Sequence, residues 1–315
     1  MLLLVTEIQA FMKKIYTVNE DFINSRLDRW FKKNISFVPQ SLIEKNIRKG
    51  NIKVNNKKTK SFYKLKKNDQ IYLYNINFSN QKADENKKPY KATKKDLSYT
   101  SKIFIENNDN FAVINKPNGI AVQSGTKSKR NILDILKNTK EFNDAKPYTV
   151  HRIDKETTGL LIVAKNRKYA QLFTSLFRIR KIHKTYLGIV VGELNKNSGT
   201  FIDKLFHYEG EKKIVTQAIT HFKVIDSNSN YTLLKLNPET GRKHQIRKQL
   251  LMNGHPILGD IKYRINPNYT KKSILMLHAY KINFSIANTK YNFSAPLPET
   301  FKKALKEKYL KTFEQ

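Results

Sequence analysis

The sequence predicts an α+β protein in which a small helical module precedes a domain with a largely antiparallel sheet. Residues 25–75 show a compact helix–helix–hairpin pattern, residues 76–98 are polar without apolar periodicity, and strand-like segments joined by short turns follow from Ile103. At 315 residues the chain is long enough for a catalytic domain and a smaller appendage. We therefore predict a tail or strand at 1–24, the module, a charged linker, and the main domain at 99–315.

The module should contain two helices followed by a hairpin. Its second helix is predicted from Pro39 or Gln40 to about Arg48, with Gly50 just beyond its end, which matches the usual preference for proline at a helix start and glycine after its end. The remaining elements are a short strand at 51–54, a tight turn at Asn55-Asn56 and a second strand at Gln70–Tyr74.

Basic residues crowd the second helix and the hairpin of this module. They are Lys45, Arg48, Lys49, Lys53, Lys57, Lys58 and Lys60. A run of charge is usually a solvated face, but few acidic residues lie between these ones, which favours phosphate binding. The segments Arg26-Leu-Asp28 and Arg48-Lys-Gly50-x-Ile-x-Val54-Asn55 resemble the small RNA-binding module named after ribosomal protein S-four. That resemblance implies that this basic face contacts RNA.

The main domain should alternate strands with a few helices. Strands are predicted at Phe111–Ile114, Leu160–Ala164, Thr185–Val191, Ala218–Ile225, Tyr231–Leu236 and Ile282–Ile286. Helices are predicted near Arg167–Phe177, Arg242–Met252 and Pro298–Lys308. Neighbouring strands joined by brief turns, with few helices between them, indicate antiparallel pairing rather than repeated parallel crossover units.

Charge and composition restrict the function. The chain carries 60 Lys and Arg against 26 Asp and Glu, a net charge of +34 that is spread over both predicted parts. A polyanion is the expected partner, and nucleic acid is favoured over a membrane surface because no Lys-rich amphipathic helix stands out. Codon bias in an AT-rich genome could also explain the many lysines, but it would raise the number of Asp and Glu residues as well. The absence of cysteine excludes thiolate catalysis and Cys-type zinc sites, and the seven histidines are scattered, so we expect no metal site.

The amino-terminal residues do not form a signal peptide. Met1–Val5 is apolar but too short, has no basic leader and is soon followed by Glu7. We therefore expect a cytoplasmic protein. Met12, followed by two lysines, is an alternative translation start.

The densest group of reactive side chains is the segment His151–Ala164. A polar, charged turn that contains Asp154 runs directly into an apolar strand, which is a common setting for a catalytic group. A single aspartate more often caps a turn or pairs with a neighbour such as Arg152. Spacing alone does not decide between these interpretations.

Residues 151–164 resemble the signature of the ribosomal-large-subunit class of pseudouridine synthases, His-Arg-Leu-Asp-x-x-Thr-Ser-Gly followed by an apolar strand, with Ile153 and Thr158 as conservative departures. Three further segments fit the same family in the same order. They are Asn115–Ile120 with Gly125, Lys184-Thr185-Tyr186, and Gly241–Arg247 followed by Gly254–Asp260, with Lys243 where threonine is frequent. The resemblance covers about 100–290, and nearly the whole chain together with the front module, whose segment Arg48–Leu65 is most similar to the type C subgroup.

The resemblance implies a role for each matching residue. Asp154 would attack the ribose or remove a ribose proton, Tyr186 would stack on the base and take the C5 proton, and Arg247 would pair with the aspartate. Arg152 would fill the gap left by the flipped uridine. His151, Arg242 and His244 would contact RNA beside them. Leu250 would wall the pocket, although a place in the core of an amphipathic helix suits it better.

The resemblance further implies an isomerase that needs no cofactor and acts, as a monomer, on ribosomal RNA, for the type C subgroup 23S rRNA. A non-catalytic RNA-binding or ribosome-assembly protein would explain the charge but does not require Asp154, Tyr186 and Arg247 together. A metal-dependent nuclease would need clustered carboxylates, which are scarce. No P-loop or kinase motif is complete, so a nucleotide cofactor is not expected.

Overall fold

A computed structural model shows two compact units, Met1–Lys88 and Pro89–Gln315. It describes residues 13–36, 38–76, 90–124, 130–143, 145–209, 212–265 and 273–311. The mixed helix and strand content, with a large and mostly antiparallel sheet, confirms the predicted α+β class. The boundary between the units falls inside the segment predicted as a linker. Within that segment residues 77–89 lie outside the described residues, as do 1–12 with both candidate start codons, and Gly125.

The first unit packs two helices on a three-stranded antiparallel sheet of order β1-β3-β2. Its elements are β1 (Lys13–Thr17), a 3-10 turn (Glu20–Phe22), α1 (Leu27–Asn34), α2 (Gln40–Lys49), β2 (Ile52–Val54) and β3 (Gln70–Tyr74). Leu27, Phe31 and Ile43 are fully buried between helices and sheet. The compact module therefore begins at β1 and not at residue 25, because β1 completes the sheet.

The local predictions for this unit agree closely with the structure. Helix α2 ends at Gly50, which adopts the left-handed conformation with φ 81°. Asn55 and Asn56 both have positive φ, as the predicted tight turn requires. Of the predicted basic face, Lys53 is half-buried and the other side chains are exposed, which leaves their charges available to a ligand.

The predicted linker was wrong for residues 90–98. Tyr90 packs against the core of the second unit and its backbone N–H donates to Asp134. Helix α3 (Lys94–Thr100) begins at Thr93 with a capping box to Asp96, and Arg130 forms an ion pair with the same carboxylate. The Thr93-x-x-Asp96 spacing was the available signal, and the surrounding lysines obscured it.

The second unit is built on a ten-stranded sheet with a strand path β4-β5-β7-β12-β8-β11-β10-β9. Its strands are β4 (Phe104–Asn107), β5 (Phe111–Lys116), β6 (Tyr148–Thr149), β7 (Thr158–Ala164), β8 (His183–Val191), β9 (Ser198–Glu209), β10 (Lys212–Ser227), β11 (Tyr231–Pro238), β12 (Leu277–Ile286) and β13 (Thr289–Ser294). Its helices after α3 are α4 (Ile132–Leu136), α5 (Arg167–Arg178), α6 (Gln245–Met252) and α7 (Glu299–Glu307). Strand β13 pairs with β12 and β6 pairs with β7, and the pair β7–β12 is parallel.

The predicted strands and helices of this unit are all present, with two informative differences. Helix α6 begins at Gln245 and not at Arg242, because His244 adopts a left-handed conformation with φ 53°. Strand β9 was not predicted. Its apolar residues point to both faces, as in the sequence Phe201-Ile202, so the alternation typical of a half-buried strand is lost.

Strands β7 and β12 approach each other closely where the two halves of the sheet join. Gly159 has φ 103°, and a Cβ atom there would lie 2.2 Å from the carbonyl oxygen of Ala279. Ala279 pairs with Gly159 on one side and with Tyr186 of β8 on the other. Every residue of β7 is buried, so the loop before it is attached to a rigid support.

Candidate active site

Asp154 lies on the loop that leads into β7, and a buried lysine fixes this loop. The ammonium group of Lys116, at the end of β5, donates to the carbonyl oxygens of Pro117, Ile120 and Lys155 at 2.8, 3.0 and 3.1 Å. Lys116 is fully buried. Burial lowers the pKa of Lys116 to about 7, against the opposing effect of the Glu156 and Asp154 charges. Lys116 therefore joins the loop after β5 to the loop that carries Asp154.

Arg247 of α6 holds the carboxylate of Asp154. Its Nη1 donates to Asp154 Oδ2 at 3.0 Å, and its Nε and Nη2 donate to Asp260 at 2.7 and 2.8 Å. The Arg247 side chain is 5% exposed and that of Asp260 is fully buried, whereas 22% of the Asp154 side chain is exposed. Burial alone would lower the pKa of Arg247, but hydrogen bonds and charges from Asp260 and Asp154 raise it above its usual value. The guanidinium is thus a fixed cation between two carboxylates.

His244 and Tyr263 flank this pair. His244 Nε2 lies 3.7 Å from Asp154 Oδ1, and its Nδ1 hydrogen-bonds the Tyr263 hydroxyl at 2.8 Å. Burial lowers the pKa of His244, with Asp154 acting in the opposite direction and Arg247 in the same one. The ring is therefore neutral at pH 7 and adds no positive charge beside Asp154 Oδ1.

Tyr186 of β8 stands on the other side of β12 from the Asp154 loop. Its side chain packs against two of the three apolar clusters of the described part of the unit. Burial raises the pKa of Tyr186, and the charge of Asp154 adds to the increase. The phenol therefore keeps its proton at neutral pH, which limits it to donating a hydrogen bond or to exchanging protons in a concerted step.

These groups surround one cavity of about 690 Å³, within the usual range for pockets that hold a small ligand. Asp154, Tyr186 and Arg247 line it, together with every basic residue predicted beside the motifs, namely His151, Arg152, Arg242 and His244. Arg178 and Arg180, which the sequence did not single out, also line it, as does Lys184 of the tyrosine segment. The cavity thus combines the Asp154 carboxylate, which Arg247 holds, and a tyrosine ring with a wall that is mostly basic and includes one further carboxylate, Glu239. This lining suits a nucleotide of a polyanion.

Comparison of the chain with known proteins identifies its family. Residues 110–252 match the family model described as RNA pseudouridylate synthase. The chain is 33% identical over 307 residues to the ribosomal large subunit pseudouridine synthase C of Buchnera aphidicola subsp. Schizaphis graminum, an alignment that spans 92% of this chain and 96% of that one. The chain belongs to the RNA pseudouridylate synthase family. The synthase C of Rickettsia conorii is 32% identical, with 90% of this chain and 97% of the relative aligned.

A solved structure within the same family has the same fold. The human RNA pseudouridylate synthase domain containing 4 superposes with a TM-score of 0.58 at 25% identity, covering 69% of this chain and 96% of the human one. The predicted membership of the ribosomal-large-subunit class of synthases, with type C as the most similar subgroup, is confirmed by these relatives.

His151 of the family signature lines the cavity but offers RNA no positive charge. Its Nε2 accepts the backbone N–H of Ile162 at 2.9 Å, and its ring stacks on Phe177 with centroids 4.5 Å apart. Burial, aided by the charge of Lys184, lowers the pKa of His151 to about 3. His151 therefore attaches the Asp154 loop to strand β7.

Several functional side chains escaped the reasoning from sequence. Asp260, which aims Arg247, stands in a recognised segment, but its partner is 13 positions earlier in the chain and no local spacing connects them. Lys184 opens the tyrosine segment and lines the cavity, and burial lowers its pKa. Leu250 lies in the apolar core, and the apolar lining of the cavity includes Ile246 and Leu277 instead.

Within the described ranges no three His, Cys, Asp or Glu side chains converge in a way that would hold a metal ion. None of the helices in the described part of the chain is long and apolar enough to cross a membrane.

Proposed function

We propose that this synthase converts specific uridines to pseudouridine in large-subunit ribosomal RNA, with 23S rRNA as its substrate and Asp154 as its catalytic carboxylate. The position of Asp154 carries the proposal: one carboxylate oxygen is held by Arg247 at 3.0 Å, and the side chain borders a basic cavity. The relatives that align over almost the whole chain are named as ribosomal large subunit pseudouridine synthases, which supports the choice of RNA.

The reaction rearranges bonds within one nucleotide. The bond from N1 of the base to C1′ of the ribose breaks, a bond from C5 to C1′ forms, C5 loses its proton and N1 gains one. No electrons enter or leave, so the reaction requires no redox cofactor or nucleotide. Asp154 would start it either as a nucleophile at the ribose or as a base that removes a ribose proton. In both cases Arg247, fixed by Asp260, aims the carboxylate and stabilises its charge.

Tyr186 would stack on the base while the bond is rearranged. Because burial raises the pKa of Tyr186, its hydroxyl is protonated at neutral pH and cannot act as a base before the reaction starts. If Tyr186 receives the C5 proton, it must release its own proton in the same step. The ring for stacking and the hydroxyl for proton exchange are separable contributions, and a single substitution distinguishes them.

The basic residues around the cavity would hold the extruded nucleotide and its neighbours. Arg152 borders the cavity next to Asp154 and is the side chain expected to enter the helix in place of the flipped uridine. Arg242 also lines the cavity. The exposed lysines of the first unit would add phosphate contacts outside the cavity. Action as a monomer stays a prediction, and a ribosomal RNA substrate supports a cytoplasmic location.

The decisive experiment replaces Asp154 by asparagine. Asp154→Asn keeps the shape and the hydrogen bond from Arg247 but provides neither a nucleophile nor a base. Release of tritium from RNA labelled at uridine C5 should stop, while the affinity for RNA stays near that of the wild type. Tritium release from the purified variant would remove Asp154 from the chemistry. A wild-type protein that binds ribosomal RNA and releases no tritium would instead favour the non-catalytic RNA-binding alternative.

A further inference from the structure

The long hairpin of β9 and β10 carries an exposed surface outside the cavity. Directly paired residues of antiparallel strands share a face, so Ile202, Lys204 and Phe206 of β9 lie on the same face as Val215 and Lys213 of β10. We call these five residues the hairpin platform. The opposite face, which includes Phe201 and Leu205, is buried.

The platform exposes apolar groups that a purely structural hairpin would cover. Ile202 is 62% exposed, Phe206 51% and Val215 54%. Phe206 and Val215 are directly paired, so their exposed side chains are neighbours. Exposed apolar patches often mark contact surfaces. Its surroundings indicate which partner it would contact.

Cations surround the Phe206 ring. The ammonium of Lys213 lies 4.7 Å from the ring centroid and that of Lys248 lies 6.0 Å from it. Lys248 belongs to a group of like charges, since Lys262 and Lys243 both lower its pKa in addition to the larger effect of burial. Within the described ranges none of these lysines forms an ion pair with a carboxylate. An exposed aromatic ring with two ammonium groups close to it suits a nucleobase next to its phosphates.

Strand β10 of the hairpin contacts a residue of the cavity wall. Arg242 lines the cavity and its Nε donates to the carbonyl oxygen of Gln217 on β10 at 3.2 Å. From Gln217 to Lys213 the strand runs four residues, roughly 14 Å at about 3.4 Å per residue. A strand of RNA that places one nucleotide in the cavity would therefore reach Phe206 within a few nucleotides.

We propose that the hairpin platform binds single-stranded RNA that flanks the modified uridine, by stacking an unpaired base on Phe206 and holding adjacent phosphates with Lys213 and Lys248. This inference rests on the proposed function for its substrate. It assigns a second RNA contact that is separate from the catalytic groups. Its contribution would be to hold the RNA strand and not to act on the reacting base.

The test uses the full-length protein, a single-stranded polyuridine probe for affinity, and ribosomal RNA labelled at uridine C5 for turnover. Phe206→Ala should weaken polyuridine binding by about 5- to 150-fold, the effect of losing one base–aromatic stack. Lys213→Gln should flatten the slope of log affinity against log salt by about 0.7. Both variants should raise KM for ribosomal RNA and leave kcat near the wild-type value.

Two matched controls lie on the same unit. Lys223→Gln removes an exposed charge from the same strand, ten positions beyond Lys213, and Tyr309→Ala removes an aromatic side chain that is 90% exposed. If Phe206→Ala and Lys213→Gln bind RNA as well as these controls do, the platform is not an RNA site. If the wild type releases no tritium while the platform variants still lose polyuridine binding, the proposed function fails and the platform stands. Melting curves verify that each exposed substitution leaves the fold intact.

Discussion

The arrangement Asp260–Arg247–Asp154 predicts that Asp260→Asn damages catalysis without touching the catalytic carboxylate. Asp260 Oδ1 accepts hydrogen bonds from Arg247 Nη2 and from the backbone N–H groups of Lys262 and Tyr263, and Oδ2 accepts from Arg247 Nε. An asparagine that keeps its oxygen at the first position presents its amide nitrogen to the Nε–H group. Two donors then face each other in a fully buried place.

The expected loss of stability follows from that geometry. Removing one partner of a buried ion pair costs about 3–5 kcal/mol, and the lower value applies because Asp154 still compensates the Arg247 charge. For a unit of this size about 3 kcal/mol corresponds to a fall in Tm of roughly 6–12 °C. Arg247 would also lose its fixed direction, and a shift of about 1 Å at the site can lower kcat by roughly 100-fold.

The assay compares tritium release and thermal unfolding for Asp260→Asn with those for Asp203→Asn. Asp203 accepts one hydrogen bond from Gln249 at 2.8 Å and is not among the residues that line the cavity, so its substitution changes charge equally without affecting Arg247. A lower Tm with wild-type kcat would show that Asp260 supports the fold and does not aim the site. An unchanged Tm would refute the energetic reasoning itself.

Further predictions concern other parts of the site and the front unit. Tyr186→Phe keeps the stacking ring and deletes the hydroxyl, so RNA affinity should persist while tritium release falls; full turnover would reduce the residue to packing. Lys116 has a folded pKa of about 7, below its ordinary 10.5, so the unfolded chain binds more protons between these values. Wild-type stability should therefore rise with pH through that window, and this rise should be smaller in Lys116→Met, as urea unfolding at several pH values would show. Deleting residues 1–88 should leave turnover unchanged. The slope of log RNA affinity against log salt should become shallower by about 0.7–0.9 for each phosphate that the shortened protein no longer binds. An identical slope would mean that the lysines of the first unit contact no phosphate.

The sequence predicted most of the main sheet because its central strands are continuous apolar runs with clear turns between them. It also predicted which motifs belong together, and Asp154, Tyr186 and Arg247 do line one cavity. That proximity follows from the strand order β7-β12-β8, which places a late strand between two earlier ones. No local periodicity encodes such an order.

The rest could not be predicted because it depends on contacts between distant segments. Lys116 reads as one more surface lysine in a chain with 60 basic residues, yet it is fully buried under three carbonyl groups. From the sequence His151 is predicted to contact RNA, and the structure adds that its Nε2 accepts the backbone N–H of Ile162. Both examples show that the partners of a polar side chain, and not its type, decide whether it binds a ligand or supports the site.

Gly159, Ala279 and Tyr186 lie side by side across three strands, and this row sets the width of the catalytic centre. Asp154 is attached to the strand that begins this row, and Tyr186 ends it. A single methyl group on Gly159 would meet the Ala279 carbonyl at 2.2 Å and force β7 away from β12. The backbones of β7 and β12 meet at Gly159, the one position in the row without a side chain. This contact therefore determines how far the strand that carries Asp154 lies from Tyr186. A substitution at Gly159 would therefore lower activity although every reacting group keeps its chemical identity.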